Sequence, residues 1–262
     1  MDLNPRQLAL LDAVRQQQAV SIDALAQRFG VTLQTVRRDV GLLARAGLLA
    51  RFHGGVRAPG ASTTENIAHA QRQAVNAEGK RRIAEAVARQ VPDGCSLILN
   101  IGTTTEAIAR ALLRHRGLRV ITNNLHVADI LGANPDCEVI VAGGLLRPGD
   151  RAIVGEAATE FIRQFRVDIG LIGISGIEPD GTLRDYDLRE VSVARAIIQQ
   201  SREVWLAADH GKFQRQAMVE VAHVSRIDRL FTDAPLPDPL AAVLRDAGVQ
   251  CEIASPFSTA AP

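Results

Sequence analysis

The stretch 97–107 reads LILNIGTTTEA, and its reading decides how the larger part of the chain folds. Leu97, Ile98 and Leu99 form an apolar run of strand length that stops at Asn100. Gly102 follows, and Thr103, Thr104 and Thr105 open a stretch with helical spacing. A strand feeding a glycine and hydroxyls at a helix start is a unit of parallel α/β architecture. It is also a cradle for an anion, because the first backbone N–H groups of a helix lack internal partners and the helix dipole favours negative charge there. Gly102 permits close backbone approach, and threonine hydroxyls donate to phosphate oxygens. The same residues suit an ordinary strand-to-helix turn with a threonine N-cap. Taken alone, the segment leaves an enzyme's substrate loop, a sensor's ligand loop and a simple cap all open.

Working outward, LRVIT (118–122), CEVIVAG (137–143), VDIGLIGIS (167–175), EVWLAAD (203–209), RLFTD (229–233) and QCEIA (250–254) are further apolar runs of strand length. Amphipathic stretches separate most of them. Buried runs alternating with helices predict a parallel sheet covered on both faces.

The first sixty residues follow a different pattern. PRQLALLDAVRQQQ (5–18) carries Leu8, Leu11 and Val14 at helical spacing, with Pro5 suited to a first turn. Ser21 can cap a short helix over 22–29 that stops at Gly30. Thr32 can cap a third helix, whose apolar stripe is Leu33, Val36, Val40 and Leu43. LLARFHGGVRA (48–58) reads as a hairpin around Gly54 and Gly55. Three helices and a hairpin make a winged helix-turn-helix. The expected fold class is therefore α/β, with an N-terminal winged helix-turn-helix and a C-terminal α/β domain. The expected boundaries are 1–58 for the DNA-binding domain, 59–92 for a linker and connecting helix, 93–254 for the effector domain and 255–262 for a disordered tail.

Charge sharpens this division. The net charge of the 262 residues is +1. From 1 to 58, however, the bases Arg6, Arg15, Arg28, Arg37, Arg38, Arg45, Arg51 and Arg57 face only Asp2, Asp12, Asp23 and Asp39. A basic segment ahead of a near-neutral remainder points to a nucleic acid. In a helix-turn-helix the first turns of the second helix of the motif enter the major groove. Gln34, Thr35, Arg37 and Arg38 lie there; Gln pairs with adenine and Arg with guanine, and hydroxyls serve bases or phosphates. Ser21 and Thr32 at the helix starts, with Arg51, His53 and Arg57 in the wing, complete the candidate DNA-contacting set. Asp39 either orients one of the two neighbouring arginines or is solvated.

No apolar run is long enough to span a bilayer, and MDLNPRQ does not begin a signal peptide. Cys95, Cys137 and Cys251 show neither metal spacing nor a disulfide framework, which fits a reducing cytoplasm. The six histidines show no ligand spacing, and no dinucleotide fingerprint or catalytic triad is present. No metal, cofactor or membrane is called for.

The stretch 20–56 resembles the N-terminal signature of the DeoR family of bacterial transcription regulators. EGKRRIAEAVARQVPDG (78–94), NIGTTTEAIARAL (100–112), TNNLHVA (122–128), VAGGLLRP (141–148), GE (155–156), DIGLIGISGI (168–177), AADHGKF (207–213) and LFTD (230–233) fall in that family's order. Within it, FRVDIGLIGISGIEPDG (165–181) and REVSVARAIIQQSREV (189–204) are similar to the branch that responds to glycerol 3-phosphate. The resemblance implies an oligomeric operator-binding repressor, a dimer or tetramer. Its C-terminal domain would be similar in fold to ribose-5-phosphate isomerase, and its inducer a phosphorylated small molecule, with sn-glycerol 3-phosphate favoured over a sugar phosphate.

Ligands of α/β sheets sit at the carboxyl ends of strands. The candidate effector set is therefore Asn100, Gly102, Thr103, Thr104 and Thr105, with Asn123 and Asn124 for ligand hydroxyls and Gly143 and Gly144 for room. Lys212, one of only two lysines beside Lys80, matches the family's Asp-x-x-Lys motif and would supply positive charge. Glu190 reads equally as a ligand-hydroxyl acceptor or as a helix N-terminal acid. Ser175 and Gly176 occupy the loop where the related isomerases carry a carboxylate, and Asn100 stands where many family members have Asp. Both departures favour binding without turnover over an active isomerase.

Overall fold

A computed structural model describes residues 3–17, 19–52, 55–57 and 66–254. They fall into two compact units, Met1–Val75 and Asn76–Pro262. His53, the linker PGASTT and the tail 255–262 lie outside the described residues.

The first unit contains α1 (Pro5–Gln17), β1 (Ala19–Ser21), α2 (Ile22–Phe29), α3 (Leu33–Arg45), β2 (Ala50–Phe52), β3 (Gly55–Arg57) and α4 (His69–Ala74). The expected hairpin becomes a three-stranded antiparallel sheet in the order β1-β3-β2, with Val20 and Arg51 both opposite Val56. Three residues are too few for alternation to reveal β1 in the sequence. Leu10, Leu11, Val14, Leu25, Val36, Val40, Leu43 and Val56 close the core. Two expected stripe residues lie outside it: Leu8 is 50% and Leu33 39% exposed. The buried side of α1 runs through Gln7, Leu10, Leu11 and Val14, one step around the helix from Leu8.

Asp39 explains the buried Gln7. It accepts hydrogen bonds from Arg6 Nε at 2.7 Å and Gln7 Nε2 at 3.1 Å. It neither orients Arg37 or Arg38 nor faces solvent; it ties α3 to α1.

The second unit comprises α5 (Ala77–Gln90), β4 (Ser96–Leu99), α6 (Thr103–Ala111), β5 (Leu118–Thr122), α7 (Leu125–Leu131), β6 (Cys137–Val141), β7 (Leu145–Arg147), β8 (Ala152–Val154), α8 (Glu156–Arg163), β9 (Val167–Ile172), β10 (Gly176–Ile177), β11 (Thr182–Asp185), α9 (Leu188–Gln199), β12 (Ser201–Ala207), β13 (Val219–His223), β14 (Arg229–Thr232), α10 (Asp238–Asp246) and β15 (Gln250–Ile253). The seven apolar runs of the sequence are the strands of one all-parallel sheet, ordered β15-β14-β12-β9-β4-β5-β6. Alternation along β4 serves both faces: Leu97 and Leu99 join a core with Ile83, Val87 and Ile108, whereas Ile98 joins one with Ile162, Val193 and Ile197. The helix α5, read from sequence as part of a connector, therefore belongs to the second unit's core. β7 with β8, and β10 with β11 and β13, form two small antiparallel sheets absent from the sequence reading.

Strand order reverses at β4. The chain moves through β5 and β6 on one side and continues with β9, β12, β14 and β15 on the other. The carboxyl ends of β4 and β9 therefore flank a topological switch point, where such sheets bind ligands. Among the described residues no helix is long and apolar enough to cross a membrane.

Candidate functional site

The carboxyl ends of the strands are tied into one edge. Asn100 N–H donates to Leu171 O at 3.0 Å, and Thr122 Oγ1 donates to Leu99 O at 2.7 Å. A Cβ on Gly173 would stand 3.5 Å from Ile101 O, and one on Gly176 only 2.2 Å from Arg215 O. The loops after β4, β5, β9 and β12 thus meet along the edge, with the switch point at its centre.

At that point α6 presents its N-terminus. Gly102 has φ +139°, a region that side chains avoid, and as the N-cap residue it contributes no side-chain cap of its own. Thr103 is half-buried and Thr104 buried at the helix start. Thr105 does not join them: it is fully buried, and its hydroxyl donates to Gly102 O at 2.7 Å. The run of three threonines thus divides between helix start and internal bond. Asn100 is buried, and its Oδ1 accepts from Ile101 N–H at 2.8 Å.

The two asparagines after β5 also divide. Asn124 caps α7, accepting from His126 N–H at 2.9 Å, so its oxygen is occupied by the fold and not reserved for a ligand. Asn123 donates to Ile153 O at 3.0 Å, while its Oδ1 is buried without a hydrogen-bond partner. Gly143 and Gly144, expected to leave ligand room, have different surroundings. A Cβ on Gly143 would meet nothing within 4 Å, so space does not require glycine there. Gly144, at φ +145°, is required by backbone geometry and by the approach of Ile153 at 3.1 Å and Ala158 N at 3.3 Å. Lys212 is half-buried in the 3-10 turn His210–Gln214 that follows β12.

Glu190 lies in a charged cluster that sequence reading missed. Arg147 on β7 donates to Glu190, to Asp150 through two nitrogens, and to Asp187 at 3.2 Å. Burial and the charge of Asp185 push the Glu190 carboxyl up to about 7, against the pull of Arg147. For Arg147 burial works against the charge, yet Asp150 and Glu190 hold its guanidinium above the ordinary arginine range. In the sequence LLRPGD (145–150) and DYDLRE (185–190) are far apart, and nothing local pairs them. Because Glu190 holds its proton more tightly folded than unfolded, its contribution to stability is present below about 4.5 and is lost as pH rises through about 7. Glu190→Gln, which keeps the neutral form, should flatten the fall in melting temperature across that interval. An unchanged slope would show that Glu190 does not titrate there.

In the first unit, Gln34, Arg37 and Arg38 are exposed on the early turns of α3, and Arg51 is exposed on β2. Thr35 is half-buried, 2.9 Å from Thr32 Oγ1. Ser21 and Thr32 accept the cap bonds of α2 and α3, from Ala24 N–H at 3.1 Å and Thr35 N–H at 3.2 Å. Their first task is therefore to fix the two helix starts. The backbone of Arg57 lies in β3.

Residues 75–234 match the family model described as the DeoR C terminal sensor domain, and residues 6–61 match the DeoR-like helix-turn-helix domain. The glycerol-3-phosphate regulon repressor of Escherichia coli K12 is 46% identical over 253 residues, covering 97% of this chain and 100% of that one. The repressor of the same name from Haemophilus influenzae is 45% identical over 231 residues, 88% of this chain and 89% of that one. The transcriptional repressor CsqR of Escherichia coli K12 is 43% identical over 247 residues, 94% of each chain. Among solved structures, a D-ribose-5-phosphate isomerase in complex with phospho-erythronic acid overlaps with a TM-score of 0.40 and 12% identity, over 52% of this chain and 54% of that one.

Proposed function

Since this chain belongs to the DeoR family of DNA-binding transcriptional repressors, we propose that it represses genes of glycerol 3-phosphate metabolism and is released from its operator by that metabolite. It would act in the cytoplasm as a homo-oligomer, a dimer or tetramer. The observation that carries the reading is the N-terminus of α6, opened by Gly102, at the sheet's switch point. In this reading the phosphate rests on the first N–H groups of α6, with Thr103 and Thr104 donating and Lys212 adding charge. The glycerol hydroxyls reach Asn123 Oδ1 and Glu190. Asn100, neutral where an Asp would repel a dianion, fits the same assignment.

An inducer acts only by preferring one conformation over another. Coupling of this kind is typically on the order of 5–150-fold. The test is operator affinity of the purified chain with and without millimolar glycerol 3-phosphate. Weakening within that range is expected, and Lys212→Met should bind operator as the parent does yet ignore the metabolite. Unchanged affinity in the parent refutes the inducer assignment. So does a sugar phosphate that raises the melting temperature more than glycerol 3-phosphate does, since the tighter ligand stabilises more by mass action.

A further inference from the structure

Three stretches quoted for their family resemblance, 78–94, 207–213 and 230–233, have no task in the proposed effector site beyond Lys212. They meet at one carboxylate. Asp233 directly follows β14, and its side chain is 2% exposed. Its Oδ1 accepts the backbone N–H of His210 at 2.8 Å. Its Oδ2 accepts from the His210 ring at 2.9 Å and from Asn76 Nδ2 at 2.8 Å, with Arg82 of α5 at 3.8 Å. Gly79 lies so near that a Cβ there would stand 2.4 Å from Oδ2. Only glycine admits the carboxylate at this turn of α5. Burial works against the charge of Asp233, but the bonds from Asn76 and His210 hold its carboxyl below the usual range.

The two residues it grips occupy separate places in the chain. His210 opens the turn that carries Lys212. Asn76 is the first residue of the second unit and follows Val75 of the DNA-binding unit directly. Asn76 also has φ +51°, in the left-handed region, where Asn is tolerated better than most residues but still at a cost. Such conformations persist where their surroundings over-determine them, and they concentrate at switches. Here the surrounding constraint is Asp233.

We propose that Asp233 is the positioning residue that couples the Lys212 turn to the junction of the two units, holding Asn76 left-handed until effector capture shifts His210. Loss of the His210 contacts lets Asn76 relax to negative φ, which re-aims the chain between α5 and the DNA-binding unit. This inference rests on the assignment of Lys212 to the effector.

The decisive variant is Asn76→Gly, which permits the same φ but removes the bond to Asp233; Asp233→Asn is the second. Three measurements are made on the full chain. Calorimetry reads glycerol 3-phosphate binding, anisotropy reads operator affinity with and without it, and amide hydrogen exchange reads the ligand-free protein. Asn76→Gly should bind the metabolite and the operator as the parent does. The parent's release, on the order of 5–150-fold, should collapse to under about twofold. Exchange in the turn His210–Gln214 should quicken while β4 and β9 stay protected. A purely structural contact would lower stability without separating binding from release. Release that persists in both variants, or unchanged exchange in the turn, overturns the coupling. A parent that neither binds nor responds to glycerol 3-phosphate refutes the inducer assignment instead, and exchange alone then decides whether Asp233 links the two segments.

Discussion

Replacing Arg37 and Arg38 together by alanine should abolish specific operator binding and leave the fold intact. Both side chains are exposed, and α3 is held by a different face, through Val36, Asp39, Val40 and Leu43. The truncations therefore remove no packing, and the unfolding free energy should change by no more than a surface substitution does, about 0.5 kcal/mol. A well-formed arginine contact to a guanine is worth about 1–3 kcal/mol. For the homo-oligomer proposed above, a two-fold operator would present each arginine twice, so the double variant should lose at least ~100-fold in affinity. Single variants separate the roles. An arginine that reads a base relaxes preference at one operator position when removed; one that neutralises phosphate weakens all sequences alike and lowers the salt slope by about one unit. Anisotropy at two salt concentrations measures both. Parent-like binding by the double variant would move the recognition surface off α3.

The fold was legible where a local rule matched the global one. The central strands β4, β9, β12 and β14 of the parallel sheet are buried along most of their length, so each announces itself as a largely apolar run. The antiparallel pieces of the second unit were not legible: β7 reads LLR, and both of its leucines are exposed. At the site, LILNIGTTTEA disclosed the helix start but not how its threonines divide. Thr105 turns inward because its place on the first turn brings its hydroxyl to Gly102 O. Asn124 is spent on a cap for a similar local reason. Asp39 was misread because neighbours in sequence point to different sides of a helix: it sits beside Arg38 in the chain but faces α1 in space. Arg147 and Asp233 stayed hidden for the opposite reason. Their partners are distant in sequence, and no periodicity records that the segment 145–150 meets 187–190, or that Asn76 meets Asp233.

The contact around Arg147 leads to the second large effect. Arg147→Met keeps the length of the side chain and removes the cation that pairs with Glu190, Asp150 and Asp187 together. Those carboxylates are largely buried, so they cannot recover their hydration. Breaking a buried pair by deleting one partner typically costs about 3–5 kcal/mol, most of it from the charge left behind. Here the deletion also strips Glu190 of the interaction that opposes its upward shift. Its carboxyl then titrates higher still, and protonation becomes the fold's remaining way to reduce the repulsion. The sign follows from linkage: a carboxyl raised in the folded state favours the fold at low pH, and that advantage is lost as pH rises through its folded value. The deficit of Arg147→Met against the parent, measured by urea unfolding, should therefore be larger near pH 8 than near pH 5.5. Adding Glu190→Gln to Arg147→Met should restore much of the loss at pH 8 and little at pH 5.5. An equal deficit at both pH values would mean that Arg147 stabilises the β7–β8 segment by packing alone, with no part played by the charge of Glu190.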